Sequence, residues 1–152
     1  EELIHRPKDV QDNAIPSGNA MAAHVLLKLS LYTGEGQYWE IAESIVSSLV
    51  GPMLQHPNAF AHWLTAVTFI VGEPQEVAIV GRVTAVDTAA LLDVVYAQYR
   101  PHLVTAVGEN GNTIPLLAHR PQLNGQATAY VCRRFVCQQP VHTPETLAQQ
   151  LT

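Results

Sequence analysis

Glu76-Val77-Ala78-Ile79-Val80-Gly81 is the stretch on which the fold of this chain turns. Three of its four apolar residues are β-branched, and a glycine ends it. A short run of this kind predicts a strand buried on both faces. Residues 87–99 then carry a helical period, with Leu91, Leu92, Val95 and Tyr99 inward and Pro101 as the stop. Residues 103–107 predict a second strand. Strand, helix, strand at this spacing is a βαβ unit, whose two strands run parallel. Asn110-Gly111 and Asn124-Gly125 mark turns in the loop that follows, and residues 127–132 predict a third strand. Thr143-Pro144-Glu145 supplies an N-cap, a proline at the first helical position and an early acid, so it opens a terminal helix.

Before Gly72 and Pro74 the pattern is helical. Ser17 is an N-cap residue, and residues 19–32 predict a helix closed by Gly34 in the left-handed position. Its stripe is Met21, Val25, Leu29 and Tyr32, while Ala22, Leu26 and Leu31 carry apolar surface almost around the axis. A helix apolar on most sides is an interior one. Residues 37–53 predict an amphipathic outer helix, with Tyr38, Ile41, Ala42, Ile45, Val46 and Leu49 on one face. His56-Pro57-Asn58 breaks it. Residues 59–71 predict a third helix, apolar nearly all round. Inner, outer, inner, joined by short turns, is the pattern of stacked helical hairpins. The expected fold class is therefore α+β. Residues 1–73 form a helical-hairpin segment, and residues 74–152 form a small α/β subdomain with a mainly parallel sheet.

Composition excludes several classes. At 152 residues the length fits one domain or two small ones. The chain is 47% hydrophobic and only 14% charged, which is globular and leaves little polar surface to cover apolar helix faces. Its net charge is −5, and its basic residues cluster only at Arg133-Arg134, so no nucleic-acid partner is expected. No apolar run is long enough to span a bilayer, so no membrane partner is expected. Two cysteines are too few for a secreted disulfide scaffold and fit a cytoplasmic protein. The chain opens Glu1-Glu2 without a methionine, which reads as a piece of something longer. After Val80 the order is Gly81-Arg82-Val83-Thr84, which lacks the glycine spacing of a dinucleotide site, and no cofactor is expected.

Four motifs carry a resemblance: Lys8-Asp9 with Asp12-Asn13-Ala14-Ile15-Pro16-Ser17-Gly18-Asn19-Ala20; Leu31-Tyr32-Thr33-Gly34; residues 76–81; and Ala127-Thr-Ala-Tyr-Val-Cys132 with Cys137. In this order they resemble the C-terminal end of the thioredoxin-domain-containing proteins related to spermatogenesis-associated protein, bacterial homologues included. The resemblance covers nearly the whole chain. It implies a longer parent in which a thioredoxin-like domain precedes a helical region similar to a six-hairpin (α/α) toroid. This chain would hold the last hairpins and the small α/β subdomain, with the upstream helical and thioredoxin-like regions as its partners. Cut from them, the piece is expected to self-associate through exposed apolar helix faces.

Two groups of residues are candidates for function. In a toroid, the loops before inner helices line the central cavity. Asp12, Asn13, Ser17 and Asn19 would then line a carbohydrate-like pocket, with Asp12 as the candidate acid or base and the amides bonding sugar hydroxyls. Glycoside hydrolysis needs two flanking carboxylates, so the piece is not expected to be catalytic alone. The structural alternative is that Ser17 caps the helix while Asp12 and the asparagines satisfy loop backbone groups. The second group is Cys132, Cys137 and His142, spaced C-x4-C-x4-H. It is open to a thiol-redox reading, with Arg133 and Arg134 favouring the thiolate, and to a metal reading completed by His119 or His102. A disulfide across the strand end and the following loop is geometrically open but disfavoured in the cytosol, and the plainer alternative is a free Cys132 buried on a strand with Cys137 in a loop. A docking or structural domain is the third possibility. Trp63 with Phe60 would stack on a sugar if they faced the cavity.

Overall fold

The computed structural model describes residues 8–110, 113–134 and 136–152. The fold class is α+β. The helices are α1 (Gly18–Thr33), α2 (Gly36–Ser48), α3 (Val50–Gln55), α4 (Ala61–Val71), α5 (Val86–Tyr96) and α6 (Pro144–Gln150). The strands are β1 (Gln75–Val80), β2 (Leu103–Gly108), β3 (Thr128–Arg133) and β4 (Val136–Cys137). Single 3-10 turns cover Pro57–Phe60 and Pro115–Leu117. The chain divides into two compact units. One holds the described residues up to Ser30 together with Glu35–Val71; the other holds Leu31–Gly34 and Gly72–Thr152.

Just past the end of α1, Gly34 takes the left-handed conformation expected of it, with φ 76°. The predicted outer helix of residues 37–53 is two helices. Pro52 has no N–H and would clash inside one continuous helix, so α2 ends at Ser48 and α3 restarts at Val50. Pro52 then falls in a first turn, where no N–H is required. The expected stripe of α1 is also displaced. Ala20, Ala23 and Leu27 are buried, whereas Met21, Val25 and Leu29 are 44%, 47% and 37% exposed. An all-apolar helix does not mark its own inner side, and here the small alanines take it. Trp63, Phe60 and Phe69 are fully buried, with the Trp39 ring 6.4 Å from that of Phe69. Trp63 and Phe60 are therefore core residues and not a sugar platform.

In the other unit the sheet order is β2-β1-β3-β4. β1 is the centre, which is why residues Glu76 to Val80 are all buried. Val77 and Ile79 pack with Leu91 and Val95 of α5 and Leu147 and Leu151 at α6. The β1–α5–β2 unit is parallel as expected. The expectation of a mainly parallel sheet stops there, because β3 pairs with β1 antiparallel. The register gives the reason: Val80 faces both Gly108, the end of β2, and Thr128, the start of β3. The connecting loop returns at the same end of the sheet, so β3 must run backwards. α5 ends at Tyr96, earlier than residue 99, and Tyr99 is 90% exposed instead of inward. Asn124-Gly125 makes the expected turn, with φ 53° and 69° and a bridge between Leu123 and Gln126. The Asn110-Gly111 turn falls partly outside the described residues, as do Glu1 and Glu2.

Gly81 has a steric role at the β1–α5 junction. A Cβ there would lie 2.5 Å from Thr88 Oγ1 and 3.0 Å from Ala127 Cβ. Asp87, in the first turn of α5, accepts hydrogen bonds from the Ala127 and Thr88 N–H groups. Those bonds, that of Ala127 first, hold its carboxyl below the usual aspartate range against a smaller upward push from burial.

Candidate functional site

The Asp12–Asn19 segment is tied together by backbone groups. Asp12 Oδ1 accepts from Ser17 N at 2.8 Å, and Oδ2 accepts from His62 N at 2.8 Å at the start of α4. The Asp12 N–H donates to Ala59 O at 2.8 Å. Ser17 is buried and caps α1, its Oγ accepting from Ala20 N at 3.2 Å. Asn19 Nδ2 donates to Asp9 O at 2.9 Å. Three of the four residues thus satisfy loop and helix-end backbone, and Asp12 joins two segments far apart in sequence. Asn13 alone is exposed. Beside the segment lies a cavity of about 500 Å³ lined by Gln11, Gln55, His56, Pro57, Asn58 and Ala59.

Close by, His24 of α1 faces His62 of α4, with ring centroids 5.4 Å apart. The Phe69 ring lies 5.8 Å from that of His24. Burial, then the charge of Lys28, then His62 lower the pKa of His24.

The cysteines are arranged differently from the free-thiol expectation. Cys137 is not in a loop. It sits on β4 directly opposite Cys132 of β3, and the two are joined by a disulfide. β4 escapes sequence reading because two residues cannot show an alternation. Cys132 is 1% exposed, while Cys137 is exposed. The cation at this pair is Arg120, which spacing gave no reason to choose. Its Nη2 donates toward Cys132 Sγ at 3.6 Å and Cys137 Sγ at 3.5 Å. Its Nη1 donates to Leu116 O, in the Pro115–Leu117 turn, which fixes the guanidinium against the sulfurs. Arg134 lies instead 3.8 Å from Glu73, an exposed pair.

His142 does not join the cysteines. Its Nδ1 is 3.3 Å from Thr128 Oγ1 and 3.2 Å from Ala127 O, at the far end of β3. Four residues of strand, about 13 Å, separate that end from Cys132. His119 is exposed, and no group of three or more metal-ligating side chains forms among the described residues. No helix among them is long and apolar enough to cross a membrane.

No family model matches the chain, and no solved structure matches it. Curated proteins do. Spermatogenesis-associated protein 20 of Homo sapiens is 32% identical over 96% of the chain. The proteins of the same name from Rattus norvegicus and Mus musculus are 29% and 28% identical over 99% of it. The chain spans only 19–20% of these relatives. Over nearly its whole length, therefore, this chain is homologous to about a fifth of Spermatogenesis-associated protein 20.

Proposed function

We propose that this chain works as one module of a longer thioredoxin-domain-containing protein, not catalytic by itself. In this reading the outer face of α1 is covered by neighbouring helices in a six-hairpin toroid-like arrangement. The observation that carries it is the two-sidedness of α1: Ala20, Ala23 and Leu27 are buried, yet Met21, Val25 and Leu29 form an apolar stripe on another side. An exposed stripe of this kind marks an interaction surface more readily than scattered apolar residues do. The fivefold greater length of the relatives supports the same reading, since it supplies chain to cover the stripe.

The finer reading is a carbohydrate-like pocket. The cavity lined by the amides of Gln11, Gln55 and Asn58 favours it, because amides bond sugar hydroxyls through both their groups. Asp12 then positions the loop and leaves chemistry to other parts of the parent. Cytoplasmic residence belongs to the same proposal.

Sedimentation of the isolated chain with a dye for apolar surface tests the module reading. Concentration-dependent self-association is expected, with dye binding at low concentration. Met21→Gln, Val25→Gln and Leu29→Gln together should abolish both while shifting stability little, as surface changes do. A chain that stays monomeric at high concentration and binds no dye would sink the reading. Hydrogen exchange with added oligosaccharides tests the pocket: protection of residues 11–19 and 55–59 supports it, and unchanged exchange in the full-length protein refutes it.

A further inference from the structure

We propose that Cys132 and Cys137 form a thiol–disulfide exchange site whose partner is a protein dithiol. Cys137 is the sulfur attacked, and Arg120 holds the departing Cys132 thiolate. The proposal does not depend on what covers α1.

Three independent observations meet at this pair. The first is access. Cys137 lies exposed on a two-residue edge strand, while Cys132 is buried in β3, so an incoming thiolate reaches only one sulfur. The second is charge. The Arg120 guanidinium stands within hydrogen-bonding range of both sulfurs and is fixed there by the Leu116 carbonyl. A cation in contact favours the thiolate over the thiol, and a better-stabilised thiolate leaves faster. The third is what breaking the bond does to the fold. β3 keeps its whole ladder to β1, in which Cys132 faces Glu76, and β4 stays beside it through Arg133 and Val136 and through the Gln138 N–H on Val131 O. Opening the disulfide frees a small edge clip and leaves the core standing, which is what a cycling bond requires.

A partner thiolate attacks Cys137 Sγ. The Cys132–Cys137 bond breaks, and its electron pair leaves on Cys132 Sγ beside Arg120. The partner's second thiol, having given its proton to solvent, attacks the partner sulfur of the mixed disulfide. Cys137 Sγ then leaves with the electron pair of that bond. The partner dithiol is oxidised to a disulfide, this chain is reduced to a dithiol, and the two protons released are available to the two new thiolates. The reverse sequence reoxidises the chain.

The test uses the whole chain, with dithiothreitol as the dithiol probe and glutathione as the monothiol probe. Acid quench and maleimide mass-tagging count thiols, and the fluorescence and circular dichroism of the folded state are followed in the same samples. The expected result is full reduction by dithiothreitol with the fold retained, and stalling at a mixed disulfide with glutathione. Cys132→Ser should form a glutathione adduct on Cys137 with oxidised glutathione. Cys137→Ser should react at Cys132 about ten-fold more slowly or worse, as a buried thiol does. Arg120→Met should slow reduction several-fold and move the pH midpoint of Cys137 alkylation in the Cys132→Ser background upward, and Arg120→Lys should restore part of both. A bond that opens only when the protein unfolds would overturn the proposal, as would equal reactivity of the two single-cysteine variants. Should Arg120→Met fail to fold, the single-cysteine comparison decides alone.

Discussion

Removing the Asp12 carboxylate should cost the helical unit more than any surface change. Its two oxygens accept from Ser17 N and His62 N, both at 2.8 Å and both partly buried. Hydrogen bonds to a charged group contribute roughly 1.5–3 kcal/mol each, and the partial exposure of this carboxylate puts both near the lower end. Asp12→Ala should therefore destabilise by about 3 kcal/mol, leaving one orphan N–H before α1 and another at the start of α4. Asp12→Asn keeps one acceptor and turns an NH₂ toward the other N–H, so about half that loss is expected. The assay is urea denaturation followed by tryptophan fluorescence. Trp39 and Trp63 both lie in the helical unit, so the signal reports that unit without the sheet. A loss under about 0.5 kcal/mol for Asp12→Ala would refute the reasoning. Stability that rises on removal would mark instead a carboxylate held for chemistry, since strained active-site groups trade stability for function.

Further outcomes follow from the other unit and from His24. Gly81→Ala should destabilise by about 1–3 kcal/mol, because its Cβ would meet Thr88 Oγ1 at 2.5 Å, and adding Thr88→Ala should recover part of the loss in the same denaturation assay read by circular dichroism. Asp87 has a depressed pKa, so its contribution is present above the unfolded aspartate value of about 4 and is lost as pH falls through the folded value. Asp87→Asn should flatten that acid limb, and an unchanged limb would contradict the Ala127 and Thr88 bonds. His24 is also depressed, so the folded state should lose stability as pH falls from about 6.5 through the folded value, and His24→Gln should remove that dependence. Replacing Cys132 and Cys137 together by alanine should cost about 2 kcal/mol, the small chain-entropy term of so short a loop, measured against the oxidised chain.

Much of the sheet unit was legible because its signals are local. The β-branched run from Val77, the Asn124-Gly125 turn and the Thr143-Pro144 helix start each carry their own chemistry, and the structure bears them out: Thr143 Oγ1 accepts from Thr146 N at 3.3 Å. The direction of β3 was not legible, since it depends on which end of the sheet the residue 109–127 loop returns to. Nor was the inner side of α1, whose apolar residues run nearly all round. The edge strand β4 lacked the length for a pattern. The Asp12 segment was legible as polar and ordered, but its partner at His62 lies 50 residues away and left no mark in the spacing. Arg120 was illegible for the same reason, standing 12 and 17 residues from the sulfurs it contacts.

Whether the apolar stripe of α1 is covered can be read most directly by peroxide footprinting of the two methionines, in the isolated chain at low concentration and in the full-length protein. Met53 is 4% exposed and serves as the internal reference, while Met21 is 44% exposed. Fast oxidation of Met21 is expected in the isolated chain, with protection to the level of Met53 in the full-length protein. Equal, fast oxidation of Met21 in both would contradict it, because α1 would then face solvent in the complete molecule.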